Sequence, residues 1–520
     1  MSSVVVGIEL GSTRIKAVAI DQNYKPVASG SHEWENRLDN GLWTYSLEDI
    51  WQGVQAAYAD LVQNYGKTME ITAIGVSAMM HGYMAFDGVG ELLCPFRTWR
   101  NTNTARAAEA LTKPFRFNIP QRWSVAHLYQ ATLDREEHVP RVAFLTTLAG
   151  YVHWKLTGEK ALGMGDASGM FPLDELGRYN PDMLQIFDIM TGRVPTPEGP
   201  AGPSIRELLP QIVPAGQCAG RLTPQGALLL DPTGALKPGV PFAPPEGDAG
   251  TGMVATCAVA PRRGNVSAGT SVFAMLVLEK PFWNVYPEID MVTTPTGRPV
   301  AMVHANTCTS DLDAWVGLFG EVLSAFGQET DKTILYKVLY NEALKTNLNN
   351  DIISYNCLAG EPVLGLDKGR PLLARLPEAR LTLPGLMRCL LMSSLASLRA
   401  GMDILAGENV QCDILTGHGG LFKTAGVGQE FMANMLNMPV TVQTTAGEGG
   451  AWGAAVLAAY MVHKEGNESL EAYLDTKVFA NAQAQTVEPE AGFVAECEEY
   501  MKTYKACLPV ERAAGEVFGG

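Results

Sequence analysis

The sequence has no run of about 18 consecutive apolar residues, the length a helix needs to cross a bilayer. Its first residues, MSSVVVGIELGST, also lack a basic segment leading into a signal-type apolar stretch, so a cytoplasmic protein without a membrane partner is expected. Basic charge is scarce too. Lys and Arg number 39 against 55 Asp and Glu, for a formal charge of −16, which argues against nucleic acid because a phosphate backbone is bound by a basic surface. Any anionic ligand must therefore be gripped locally. The nine cysteines, at 94, 218, 257, 308, 357, 389, 412, 497 and 507, never form a C-x-x-C pair, so neither a zinc site nor a disulfide set is expected. The GKT at 66–68 is no Walker A loop, since Leu61 stands where that loop needs glycine. Neither GHGG (417–420) nor GEGGAWGAA (447–455) has the G-x-G-x-x-G spacing and acidic residue of a dinucleotide site.

What is present is enough chain, 520 residues, for two large domains with a cleft between them. The opening reads as three strands, 4–10, 14–21 and 26–34, separated by the turns GST and QNYK. Ser46 and Asp49 form a variant capping box, followed by Leu47, Ile50, Val54, Tyr58 and Leu61 at helical spacing. The apolar, β-branched segment 71–77 completes the order β-β-β-α-β. The same order restarts at 264–278, where GNVSAGTSVFAMLVL again sets a G-[ST]-[ST] turn between apolar segments. It continues with a strand at 412–416, a helix from about Thr424, a strand at 440–444 and a helix from about Gly450. Proline- and glycine-rich stretches at 194–204 and 236–250 read as loop and crossing between halves. The domains are placed at 1–255 and 256–520, the second ending in a helical tail from about residue 466.

Gly11, Ser12 and Thr13 sit in a tight turn where consecutive N–H groups can form an anion-binding nest, with Arg14 and Lys16 adding positive charge. An ordinary hairpin turn is the plain alternative. Gly269, Thr270 and Ser271 repeat the feature without basic neighbours, and two such turns fit a triphosphate held between domains. Asp248, in PPEGDAGTG, can take a sugar hydroxyl's proton as that oxygen attacks a γ-phosphoryl group, or it can simply cap a helix. Asp166, in GMGDASGM, is read as a structural cap or loop residue. Met80, His81 and Gly82 follow the strand at 71–77, where active-site groups of α/β folds gather, though a core histidine reads the same way. Trp99, Arg100, Asn101 and Asn103 combine an aromatic face with hydrogen-bonding groups, as sugar sites do and as polar surface loops do.

In collinear order over roughly residues 4–460, GIELGSTRIKAVAID, SAMMHG, TTLAGYVHWKLTGEKALGMGDASG, PEGDAG, GNVSAGTS, SYNCLAGEP, GHGGLFKT and AGEGGAWGAA closely resemble the FGGY family of carbohydrate kinases. The resemblance implies an α/β fold of two ribonuclease-H-like, actin-like ATPase domains flanking a catalytic cleft, with Mg-ATP as phosphate donor and Asp248 as catalytic base. It also implies phosphate contacts from Gly11, Ser12, Thr13 and Arg14 and from Gly269, Thr270 and Ser271, with the nucleotide base near Gly419, Gly420 and Lys423. Met80, His81 and Gly82 match the family's sugar-contacting M-H-G, and Trp99 and Asn101 align with its W-N-D, with an amide where the aspartate is usual. Glu9 replaces the aspartate of the family's D-x-G-T and is expected to reach magnesium through water. The chain looks most like the ketopentose kinases, ribulokinase-like first and xylulokinase next, which points to L-ribulose as acceptor with xylulose or another ketose as alternative. A nucleotide-switched binding module of the same fold is the competing class. The allowed self-assembly is a homodimer.

Overall fold

The computed structural model describes residues 3–194, 202–349, 351–443 and 449–518. Most of the proline-rich stretch at 194–204, and Gly447 and Glu448 of the GEGG segment, lie outside them. The chain forms two compact units: Met1–Ala260 with Pro281–Val300 and Gly447–Asn481, and Pro261–Lys280 with Ala301–Ala446 and Ala482–Gly520. The chain thus passes between units at more points than the one boundary placed near residue 255.

In the first unit, β1 (Ser3–Leu10), β2 (Arg14–Ile20) and β3 (Pro26–Glu33) form the expected antiparallel meander. The helix Leu47–Tyr65 begins at Ser46 with the capping box to Asp49 in place and ends at Gly66, whose φ of 72° is a left-handed helix stop. That stop accounts for the glycine of GKT. β4 (Glu70–Ala78) then returns parallel to β1. Three short strands, β5 (Gly220–Arg221), β6 (Pro241–Phe242) and β7 (Glu246–Gly247), complete a sheet of order β5-β6-β4-β1-β2-β3, with β7 paired to the end of β4. The helix Gly449–His463 is apolar all round and buried from Gly450 to Tyr460, as a helix without a polar face must be. It lies directly on the sheet: a Cβ on Gly7 would stand 2.0 Å from the Ala451 carbonyl oxygen, and one on Gly75 2.1 Å from that of Ala454.

In the second unit, β8 (Arg263–Ala268) and β9 (Val272–Val277) form an antiparallel hairpin. With β10 (Pro299–Ala305), β11 (Ile414–His418), β12 (Val440–Gln443) and β13 (Ala484–Val487) the order is β10-β9-β8-β11-β12-β13, and β8, β11 and β12 run parallel. Counted from its own first strand, the first sheet reads 3-2-1-4-6-5 and the strands named for the second read 3-2-1-4-5-6, so the restart seen in the sequence repeats the topology of the first four strands. The segment after residue 466 is more than a helical tail, since β13 pairs antiparallel to β12 before the helix Ala491–Val517 begins. The helix Leu383–Gly407 is long and apolar enough to cross a membrane, but it carries Arg388 and Arg399 and most of it is buried. Arg388 makes a buried ion pair with Glu496 at 2.6 Å.

Candidate active site

The turn after β1 is held from behind. Trp34 donates its indole N–H to the Gly11 carbonyl (2.7 Å) and its backbone N–H to that of Thr13 (3.2 Å), and the Tyr45 hydroxyl donates to the Ser12 carbonyl (2.6 Å). Trp34 and Tyr45 are themselves stacked, centroids 4.0 Å apart. Because a trans peptide points its C=O and the next N–H in opposite directions, three tied carbonyls aim the N–H groups of Ser12, Thr13 and Arg14 the other way. That is the geometry of an anion nest. Trp99, expected at a sugar, donates its indole N–H to Ser12 Oγ at 3.2 Å. Arg14 is exposed and pairs with Glu33 at 3.0 Å.

Glu9, at the end of β1, accepts the N–H of Ala451 at 3.1 Å from the start of the helix Gly449–His463. Room for its carboxylate comes from Gly450, where a Cβ would stand 2.2 Å from Glu9 Oε1. Burial, and next the charge of Asp248, push the Glu9 carboxyl up to about 7, against the Ala451 N–H and Lys16. Asp248 opens the helix Asp248–Ala255, whose Thr251 hydroxyl bonds Ser77 Oγ on β4 at 2.8 Å. The N–H groups of Met80 and Ala249 both donate to Asp248 Oδ1, each at 3.0 Å. Burial raises this carboxyl above its usual range while those donors oppose the rise. The second oxygen, Oδ2, is the one left to take a proton.

His81 is buried with φ 71°, followed by Gly82 at φ 88°, so the chain turns sharply beside Asp248. Its Nδ1 lies 3.2 Å from the Gly169 carbonyl, and a carbonyl only accepts, so Nδ1 carries the hydrogen and Nε2 offers a lone pair. Burial, with the Arg122 charge adding, lowers its pKa to about 3, so the ring is neutral. Its face stacks on Trp123 at 6.0 Å. Asn101 does not present its amide to a ligand as expected. Oδ1 accepts the Trp43 N–H (2.9 Å), and Nδ2 donates to the carbonyls of Trp43 (2.8 Å) and Thr98 (3.0 Å), so both donors are spent on backbone. Asp166 is likewise no cap, because Gly163 holds that position; its buried carboxylate accepts the Thr147 hydroxyl at 2.6 Å.

In the second unit, the turn after β8 is held by the start of the helix Thr309–Ala325. The N–H and hydroxyl of Thr309 donate to the Gly269 carbonyl (2.9 and 2.8 Å), and the Cys308 N–H and Ser310 hydroxyl to that of Thr270 (2.8 and 3.1 Å). The same peptide geometry turns the N–H groups of Thr270 and Ser271 outward. Gly419, after β11, has φ 108°, and a Cβ there would meet the Ala268 carbonyl oxygen at 2.4 Å, so only glycine fits beside the turn. Gly420 opens the short helical turn Gly420–Lys423, and Lys423 is exposed. Trp34, Tyr45 and Thr309 carried no motif; only the folded chain brings them behind the turns.

Among the described residues, no three His, Cys, Asp or Glu side chains form a metal cluster of their own. The site still fits a magnesium ion carried by a nucleotide, because such an ion commonly takes one or two carboxylates besides phosphate, and a cation relieves the repulsion that Glu9 feels from Asp248.

Residues 4–255 match the model of the N-terminal domain, and residues 264–462 that of the C-terminal domain, of the FGGY family of carbohydrate kinases. The chain belongs to that family. FGGY relatives include a xylulose kinase of Staphylococcus xylosus, 21% identical over 42% of this chain and 44% of that protein. An L-fuculokinase of Salmonella typhi is 27% identical over 47% of this chain and 50% of that protein. The chain thus spans about half the length of these curated relatives. A solved xylulose kinase from Lactobacillus acidophilus covers 99% of both chains with a TM-score of 0.79 at 17% identity. The fold is accordingly the α/β, actin-like one of FGGY kinases.

Proposed function

We propose that the chain is an ATP-dependent kinase that transfers the γ-phosphate of Mg-ATP to a hydroxyl of a ketopentose. The observation that carries this reading is Asp248: the backbone N–H groups of Met80 and Ala249 hold one carboxylate oxygen and leave the other to take a proton, and Met80 is followed in the chain by the neutral His81. In this role Asp248 Oδ2 takes the proton of the acceptor hydroxyl as its oxygen attacks the γ-phosphorus. His81 Nε2 accepts a hydrogen bond from a sugar hydroxyl and so orients the sugar. The outward N–H groups at 12–14 and at 270–271 are assigned to the phosphates, and Gly419, Gly420 and Lys423 to the nucleotide base. Glu9 would hold magnesium through water, and magnesium, when bound, neutralises charge on the β- and γ-phosphates.

The relatives' names weigh toward a xylulose-type acceptor over the L-ribulose favoured by the sequence motifs, and the spent amide of Asn101 moves discrimination to His81 and its neighbours. The test is a coupled ADP-release assay with purified protein across L-ribulose, D-ribulose, D-xylulose, L-xylulose and several hexuloses. Turnover dependent on one ketopentose, with a loss of about 10²–10⁴-fold in kcat for Asp248→Asn and sugar binding retained, is expected. Hydrolysis independent of any sugar would favour a nucleotide-switched module instead.

A further inference from the structure

Behind Asp248 lies a pair of carboxyl groups that the reaction above does not use. Glu246, two residues earlier on β7, is 2% exposed, and Asp166 in the helix Met164–Ser168 is 0% exposed. The backbone N–H of Asp166 donates to Glu246 Oε2 at 2.9 Å, and that of Gly165 to Oε1 at 3.3 Å. The cradle is shaped for this side chain: a Cβ on Gly163 would stand 2.1 Å from Glu246 Oε1, and one on Gly165 2.5 Å from Oε2. Asp166 accepts the Thr147 hydroxyl on Oδ2, while its Oδ1 is buried without a partner.

Among the described residues the charge that acts on Asp166 is that of Asp248, and the charge that acts on Glu246 is that of Asp166, both negative; the phenol of Tyr179 is also near Asp166. Burial first, then the neighbouring negative charge, pushes Asp166 up to about 7 and Glu246 to about 8. An ionised pair here would set two uncompensated charges behind the residue that must itself be anionic to act as a base. A carboxyl that keeps its proton has the same shape and anchors the same backbone without that repulsion.

We propose that Asp166 and Glu246 as a pair retain a proton at neutral pH and together form a positioning element for Asp248, fixing β7 and the start of the following helix. The proposal rests on the reading of Asp248 as the base. An amide is then a faithful substitute for Asp166, whereas in Glu246→Gln one of the two oxygens that accept backbone N–H groups becomes a donor, and in Glu246→Ala both are lost.

The experiment measures turnover and thermal unfolding between pH 6 and 9 for the wild type and for Asp166→Asn, Glu246→Gln and Glu246→Ala. A carboxyl whose proton affinity is higher in the folded chain contributes stability that is complete below the ordinary carboxylate pKa and is lost as pH rises through about 7 to 8. The wild-type melting temperature is therefore expected to fall over this range, and to fall less steeply in each amide variant; Glu9 and Glu361 contribute the same background to all. Asp166→Asn should keep kcat at pH 7 within about threefold, while Glu246→Ala should lose about tenfold or more with sugar KM little changed and Glu246→Gln should fall between the two. Thr147→Val, which removes the one side-chain donor to Asp166, should move the stability loss to higher pH, and it serves if the amide variants fail to fold. Asp166→Asn as inactive as Glu246→Ala, or a pH slope unchanged in the amides and in Thr147→Val, would overturn the proposal. Should no sugar be phosphorylated at all, the reading of Asp248 fails, and the slope alone decides whether the pair holds its proton.

Discussion

The turn after β1 and the turn after β8 close equivalent hairpins in sheets whose first four strands share one order, yet they are held by different chemistry. In the first unit the carbonyls of residues 11–13 are tied by aromatic side chains, Trp34 and Tyr45. In the second, those of 269 and 270 are tied by the opening residues of a helix. The surroundings differ as well. Arg14, Lys16, Glu9 and Asp248 crowd the first turn or its strand, whereas residues 268–274, AGTSVFA, carry no charge. Both units have outward-facing N–H groups at the turn, while charged side chains crowd only the first.

The largest effect expected from testing this contrast is at Gly419. Gly419→Ala forces a non-glycine residue to φ 108° and drives its Cβ into backbone, so the loop beside the second turn must shift. ATP affinity, measured by calorimetry, should fall about tenfold or more, given a cost of about 1–3 kcal/mol for such strain. Gly450→Ala in the first unit meets side-chain atoms, Glu9 Oε1 at 2.2 Å and Thr251 Oγ1 at 2.8 Å, and not backbone, so it should displace the Glu9 carboxylate while leaving the fold intact. Next in size is Tyr45→Phe, which removes only the hydroxyl on Ser12 and should raise the KM for ATP about fivefold, the value of one hydrogen bond of about 1 kcal/mol. Thr309→Val should cost less, about two- to threefold, because the Thr309 N–H still holds the Gly269 carbonyl. If Thr309→Val proves the more damaging, the second turn is the weaker of the two and the contrast is reversed. Smallest is Arg14→Gln: its pair with Glu33 is exposed, so a change within about twofold that vanishes at high salt is expected in the same assay.

The hairpins, the capping box at Ser46 and the restart at Gly264 were legible because each is a local pattern of a few residues. Asp248 stood out for a similar reason, since its neighbours in PPEGDAGTG restrict the backbone around it. For Trp99 and Asn101 the sequence could not say where their N–H groups go, because aromatic and amide groups look alike whether they face a sugar or the protein itself; in the fold those groups donate to Ser12, Trp43 and Thr98. The burial of Asp166 and Glu246 was not legible, as a Gly-Asp-Ala-Ser segment reads as a surface turn until β7 is laid beside it. Gly7 and Gly75 gave no hint that they clear a path for Ala451 and Ala454, because that contact joins opposite ends of the chain.

The helix Gly449–His463 also sets an order of events during synthesis. Glu9 and its partner Ala451 are 442 residues apart, so the first unit lacks the cover of its sheet until nearly the whole chain has left the ribosome. At about 5–20 residues per second, the interval between completing residue 260 and completing the helix is roughly 10 to 40 seconds. Throughout it the glycine-lined face of β1 and β4 stays open, a natural binding surface for a chaperone, and a fragment cut at the apparent domain boundary would keep that face exposed for good.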